Sequence, residues 1–423
     1  MTERRTLPVM PWMSAPETRA VIVALEARGA EVRFVGGCVR DALLGRPVTD
    51  LDLATPDPPE TVTALLEKAG IRAVPTGLAH GTMTAVLNHR HFEITTLRRD
   101  VETFGRRARV AFTDDWAEDA ARRDFTMNAL SLSPDGRLFD PFAGASDAES
   151  GRVRFVGDPA QRIDEDHLRI LRFFRFYAHY GTPPPDAAAL AACAAKAALI
   201  ARLSGERVRG EMMRILSAPD PAGVLALMGD CGALAEVLPE PASLAALESL
   251  AAIEAEEDKP DGLRRLSVVL RDGDKPQAAG AQVAERWRLS RAESARLASL
   301  VSPEPEIAAT LSPKAQRARL YALGAQLFRD RVFIAWAERR ALLGEEAAAE
   351  ASFRAMLGEA QVWQPRKLPV KGADVQRLAV PPGPRVGALL KAVEEWWIEE
   401  DFAPDRAQCL AKLEDLIATG HAR

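Results

Sequence analysis

Phe34-Val-Gly-Gly-Cys-Val-Arg-Asp-Ala-Leu-Leu-Gly-Arg-Pro-Val-Thr-Asp-Leu-Asp-Leu53 decides how the chain is read. An apolar strand runs into the pair Gly36-Gly37, then Arg40-Asp41 begins a helix, and Asp50 and Asp52 follow in an alternating segment. On a strand, residues i and i+2 share a face, so the two carboxylates converge. Glycines beside a carboxylate pair suit a triphosphate that is held by backbone N–H groups and neutralised by magnesium. Two-metal phosphoryl transfer needs carboxylates that bridge two cations about 3.5–4 Å apart. Glu93, in the next strand pair and flanked by apolar residues, is the candidate third ligand.

Outward from that stretch, the first 140 residues mix signals. Periodicity predicts helices over Glu17–Arg28, Val39–Leu44 and Thr61–Ala69, and strands over Glu31–Val35, Leu51–Ala54, Met83–Leu87 and Phe92–Thr96. The polar segment Asp100–Arg109 reads as a mobile loop, and Asp114–Arg123 as a helix with acids early and arginines late. Asp164–Tyr180 reads as one helix, closed off by Pro183-Pro-Pro185. Beyond Gly205 the pattern is almost wholly helical. The expected fold class is α+β: a head of mixed sheet and helices over 1–145, then an all-α neck (146–220), body (221–325) and tail (326–423).

Composition sets the outer bounds. The chain has 423 residues, 47% hydrophobic and 27% charged, the profile of a folded soluble protein. No apolar run reaches the roughly 18–20 residues of a membrane span, and no apolar h-region follows the N-terminus, so a cytoplasmic enzyme is expected. The four cysteines are scattered and read as reduced thiols. No histidine stands in an H-E-x-x-H pattern. A net charge of −5 does not announce a nucleic-acid binder, although Arg and Lys exceed Asp and Glu between Arg152 and Arg214. Beyond residue 220 the short clusters Arg264-Arg265 and Arg329-Asp-Arg331 suit either an RNA backbone or solvated helices.

Further groups complete the candidate site. Arg122 and Arg123 offer planar donors for a triphosphate, and Asp124 an acceptor for a ribose hydroxyl. Asn128, one helical turn beyond Asp124, suits a phosphate or sugar oxygen. Asp166 and Arg169, at i and i+3 on the expected helix, share a face. The carboxylate accepts from an exocyclic amine and the guanidinium donates to the ring acceptor beside it, which fits cytosine and adenine and rejects uracil and guanine.

These motifs, in this order, resemble the class II tRNA nucleotidyltransferase and bacterial poly(A) polymerase family. The resemblance is carried by Gly-Gly-Cys-Val-Arg-Asp with Asp-Leu-Asp-Leu, Arg122-Arg-Asp-Phe-Thr-Met-Asn-Ala-Leu130, Glu165-Asp-His-Leu-Arg-Ile-Leu-Arg172 and Gly205-Glu-Arg-Val-Arg-Gly-Glu211. It covers about residues 30–215 strongly. It implies metal ligation by Asp50, Asp52 and Glu93 with two Mg2+ ions. It also implies nucleotide binding by Gly36, Gly37, Arg40, Arg122, Arg123, Asp124, Asn128, Asp166, Arg169 and Arg172. In the family the Arg-Arg-Asp motif reads the 2′-OH, and the Asp166/Arg169 pair serves as a protein template. Glu206, Arg207, Arg209 and Glu211 brace the base-reading helix. In relatives a loop placed like Asp100–Arg109 helps convert the site from C to A addition.

The segment Pro75-Thr-Gly-Leu-Ala-His-Gly-Thr-Met-Thr84 resembles the form in CCA-adding and A-adding enzymes more than the basic form of poly(A) polymerases. The implied substrates are CTP, ATP and the tRNA 3′ end, with no membrane and no protein partner. CC-adding and poly(A)-adding enzymes are the alternatives, and a non-catalytic RNA-binding protein is a remote one.

Overall fold

Alternation in the strands around Asp52 sorts side chains onto two faces, and that sorting builds the first part of the molecule. The computed structural model describes residues 5–78, 81–104, 107–240 and 244–420, with backbone alone for 100–104 and 107–110. Its strands are β1 (Arg33–Val35), β2 (Leu51–Thr55), β3 (Arg72–Gly77), β4 (Thr82–Leu87), β5 (Arg90–Thr96), β6 (Arg98–Phe104), β7 (Arg107–Phe112), β8 (Ser131–Leu132) and β9 (Leu138–Phe139). Seven of them form one mixed sheet in the order β3-β4-β5-β2-β1-β8-β9. In it β2 and β5 run parallel and the other neighbours antiparallel.

One face carries Phe34, Leu51, Leu53, Met83, Ala85, Phe92, Ile94 and Leu132, packed with Val21, Ile22 and Leu25 of the helix Pro16–Leu25 and Val62 and Leu66 of Pro59–Lys68. The other face carries the intervening residues Asp52, Thr84, Glu93 and Thr95. Burying the apolar face therefore fixes the register that leaves the carboxylates outside the core.

Three expectations need correction. The helix read over Asp164–Tyr180 is two helices, Pro159–Glu165 and Leu168–Tyr180, because Asp166 is extended (φ −153, ψ 109) and its side chain accepts from Leu168 N–H at 3.1 Å. The helix read over Asp114–Arg123 is shorter, Trp116–Ala121, so Asn128 does not lie one helical turn beyond Asp124. It ends a 3-10 turn, Thr126–Asn128, entered through extended Phe125. The segment read as a loop at Asp100–Arg109 lies in an antiparallel ribbon of β6 and β7, with residues 105 and 106 outside the described residues. The alternation of Arg107-Ala-Arg-Val in the sequence is the strand signal that its polarity hides.

The chain divides into two compact units, Met1–Glu240 with Val283–Leu289, and Pro241–Gln282 with Ser290–Arg423. The boundaries expected at 145 and 220 both fall within the first unit. The second unit has no strand among its described residues. Part of its core gathers Val370, Val375, Leu389, Val393, Trp397 and Leu413. Another part is charged. Arg264 and Arg265 are 2% and 1% exposed, and Glu254 binds both at 2.6 Å. Arg264 also meets Asp330 at 3.1 Å, and Asp330 in turn meets Arg296 at 2.8 Å. Both readings of the Arg264-Arg265 cluster are thereby overturned, since its guanidiniums face neither RNA nor solvent. No helix among the described residues is long and apolar enough to cross a membrane.

Glu254→Ala leaves two buried guanidiniums short of their shared carboxylate. It is expected to destabilise the second unit by about 3–5 kcal/mol in denaturant unfolding; a loss below about 1 kcal/mol would contradict this account of the core.

Candidate active site

The parallel pairing of β2 with β5 sets Asp52 directly beside Glu93. Burial pushes the Asp52 carboxyl up to about 6, with the negative charges of Glu93 and Asp50 adding to the rise and Arg123 opposing it. Glu93 is exposed, and so is Asp50, which precedes β2 and accepts from Thr49 Oγ1 at 3.4 Å. Among the described residues no three His, Cys, Asp or Glu side chains stand close enough to hold a cation by themselves. The donor set still fits magnesium, which takes one or two carboxylates and completes its shell with phosphate oxygens and water. Two like charges side by side are the condition that a cation relieves.

Gly36 joins β1 to the helix Gly37–Leu43 with φ +71, a conformation that favours glycine, and a Cβ there would stand 3.0 Å from Arg123 Nη1. The helix then delivers Arg40, which is buried. Arg40 forks onto Asp41 at 3.0 Å, donates to Asn128 Oδ1 at 2.6 Å and donates to the Tyr180 hydroxyl at 2.6 Å. Asn128 passes its amide N–H to Asp124 Oδ1 at 2.9 Å. The polar atoms of Arg40 and Asn128, both candidates for nucleotide contact, serve one another.

Phe125 is fully buried, 4.8 Å from Phe155 and 5.0 Å from Phe176 between ring centroids. That anchor holds the preceding residues at the cavity wall. Asp124 accepts from Phe125 N–H and Asn128 on one oxygen, and from Arg172 through Nε at 2.7 Å and Nη2 on the other. Burial alone would raise its carboxyl, but Arg172, Asn128 and the Phe125 amide outweigh it and hold it down at about 2. Arg122 and Arg123 share the buried Asp119, at 2.7 and 3.1 Å, and Asp119 also accepts from Arg98 N–H at 3.3 Å. Arg162 clasps the carbonyls of Arg122 and Arg123 from behind.

Asp166 and Arg169 do not pair with each other. Asp166 meets Arg207 at 2.7 Å, whereas Arg169 meets Glu165 and donates to the Arg162 carbonyl at 2.7 Å. The intrahelical salt bridge that would make them a mere surface pair is therefore not formed. The helix Gly205–Leu216 supplies Arg207 to Asp166 and, one turn on, Glu211 to Arg175 at 3.2 Å and Arg172 at 4.0 Å.

These groups enclose one cavity of about 580 Å³. Its lining includes Gly36, Gly37, Arg40, Asp52, Arg122, Arg123, Asp124, Asn128, Asp166, Arg169 and Arg172. Asp50 and Glu93 are not part of that lining. Arg98, Leu168, Phe176 and Arg207 are additional. Arg207 was read only as a brace, and its position at i−4 from Glu211 was the available signal; Arg98 had none beyond its place at the end of a strand. With seven arginines and few apolar walls, the cavity suits a polyanion carrying a flat polar group.

Two family models match the chain: the Poly A polymerase head domain over residues 32–154, and the probable RNA and SrmB-binding site of polymerase A over residues 185–244. The mitochondrial CCA tRNA nucleotidyltransferase 1 of Mus musculus is 34% identical over 387 residues, covering 90% of this chain and 86% of that protein. A CCA-adding enzyme of Limosilactobacillus fermentum is 30% identical over 417 residues, covering 94% and 96%. Among solved structures, the Bacillus stearothermophilus CCA-adding enzyme in complex with CTP superposes with a TM-score of 0.75 at 26% identity, covering 95% and 96% of the two chains.

Asp124 titrates below its ordinary value of 3.8, so it adds stability above that pH which is lost as pH falls toward 2. Asp124→Asn should be less stable than the parent at pH 7, with the gap closing between about pH 4 and pH 2 in thermal unfolding. A gap independent of pH would remove the ion pair with Arg172 as its cause.

Proposed function

The chain belongs to the family of CCA-adding tRNA nucleotidyltransferases, and on that premise we propose that it adds CCA, or its terminal A, to the 3′ end of tRNA from CTP and ATP. One observation carries the reading: the triphosphate, sugar and base candidates, which are distant in sequence, line a single cavity next to a carboxylate pair. Support also comes from relatives that align over nearly their whole length.

In the proposed reaction the tRNA 3′ hydroxyl attacks the α-phosphate of the bound nucleotide in line and pyrophosphate leaves. Arg122 and Arg123, held by Asp119, neutralise the triphosphate, and Gly36 and Gly37 keep side chains clear of it. Asp50, Asp52 and Glu93 would hold two magnesium ions, which supply charge stabilisation at the attacking and leaving oxygens. Asp166 accepts from the amino group of cytosine or adenine, and Arg169 donates to the adjoining ring acceptor. Asp124, whose oxygens are already taken by Phe125, Asn128 and Arg172, holds Asn128 and Arg172 at the cavity wall beside the sugar and does not itself accept from it. The four cysteines are free thiols, which suits a reducing compartment.

Asp52→Ala is expected to lower CTP and ATP incorporation by at least about 10³-fold on tRNA transcripts that end before CCA, after CC and after CCA. Sizing the products with each nucleotide alone and with both separates CCA, CC, A and poly(A) addition, and wild-type-like incorporation would refute the carboxylate assignment. Arg169→Ala should narrow the preference for C and A over U and G by about 10-fold or more; an intact preference would remove Arg169 from base selection.

A further inference from the structure

Tyr180 is the last residue of the helix Leu168–Tyr180 and does not line the cavity, yet its hydroxyl meets two residues that follow the glycine pair. It accepts from Arg40 Nη2 at 2.6 Å and donates to Asp41 Oδ1 at 3.0 Å. The Arg40 and Arg46 guanidiniums lie over its ring, at 4.1 and 4.4 Å from the centroid. Burial raises the phenol above its ordinary value, against the pull of Arg40, so the proton given to Asp41 stays in place at neutral pH.

A guanidinium has five N–H donors. Asp41, Asn128 and Tyr180 take four of those of Arg40, one on Nε, one on Nη1 and two on Nη2. The fifth, on Nη1, has no hydrogen-bond partner among the described residues, and Arg40 lines the cavity. The contacts also close a ring. From Tyr180 the bonds run through Arg40, Asn128 and Asp124 to Arg172, which stands on the same helix as Tyr180. Phe176, midway between Arg172 and Tyr180, stacks on Tyr180 at 5.8 Å between centroids. The Arg40 and Arg172 guanidiniums lie over the Phe176 ring at 5.3 and 5.4 Å. At Tyr180 the ring of bonds is closed by one hydroxyl.

We propose that Tyr180 is a positioning residue for the nucleotide: its hydroxyl fixes the orientation of the Arg40 guanidinium, so that the remaining Nη1 donor meets an oxygen of the bound nucleotide. The inference rests on the proposed function for the identity of that ligand. Asp166 and Arg169 take other partners, Arg207 and Glu165, so Tyr180 acts on the affinity for CTP and ATP alike and not on the choice of base.

Equilibrium binding of CTP and of ATP to the full chain with magnesium, without tRNA, tests it. Tyr180→Phe keeps the aromatic ring and removes only the hydroxyl. It should weaken both nucleotides about fivefold, as expected for one lost hydrogen bond. In incorporation assays the same loss should appear in KM and not in kcat. In an Asn128→Ala background the substitution should cost about twofold or less, since the ring of bonds is already open. The binding preference for CTP and ATP over UTP and GTP should stay intact, whereas a general loosening of the helix would shift it through Arg169. Unchanged affinity in Tyr180→Phe, an equal loss in both backgrounds, or an altered base preference would overturn the role of Tyr180. Normal incorporation alongside any of these would leave the nucleotidyl-transfer reading standing. Absence of incorporation by the parent chain would refute that reading, and the binding series would still decide on Tyr180.

Discussion

The buried ion pair between Asp124 and Arg172 is the constraint on which the candidate site depends. Asp124 is reached from the sheet and Arg172 stands on the helix Leu168–Tyr180, so the pair ties two differently built parts of the first unit at one point. A carboxylate that deep survives as an anion only because four donor contacts fill its lone-pair positions. Both side-chain donors are themselves committed elsewhere: Asn128 to Arg40, and Arg172 to Glu211. Displacement of any one leaves a buried polar atom exposed to its neighbours without a partner, so the set holds together or loosens together.

Geometry of this kind explains why a flexible substrate can meet a prepared surface. Arg122 and Arg123, proposed to meet the triphosphate, are not free to wander; Asp119 holds both, and Arg162 holds the backbone that carries them. Asp166 and Arg169 are likewise held apart by separate partners on the lining of the cavity. Preorganisation lowers the ordering that a ligand must impose on arrival.

Much of this was legible in the residues, and the losses have physical causes. The alternation of Leu51, Asp52 and Leu53 announced a face with carboxylates, and the structure has it. The break at Asp166 was missed because the apolar pattern of the following helix swamps a single capping residue, although an aspartate two residues before that helix's first apolar turn is itself a start signal. Mutual contacts of Arg40 and Asn128 could not be read, since residues 88 apart in sequence meet only through the fold. Buried Arg264 and Arg265 were misread for a related reason: a paired interior arginine and a solvated one are the same letter, and the acids that decide between them lie on other helices.

That interior cluster of Glu254, Arg264, Arg265, Asp330 and Arg296 also bears on how the second unit can diverge. Well-packed apolar residues could replace the whole group with little loss, yet any single replacement strands a charge in the core. The intermediates between the two solutions are unstable, so drift through one-letter steps is blocked. Such a cluster is inherited as a block, and descendants are expected either to keep all its members or to have exchanged several at once.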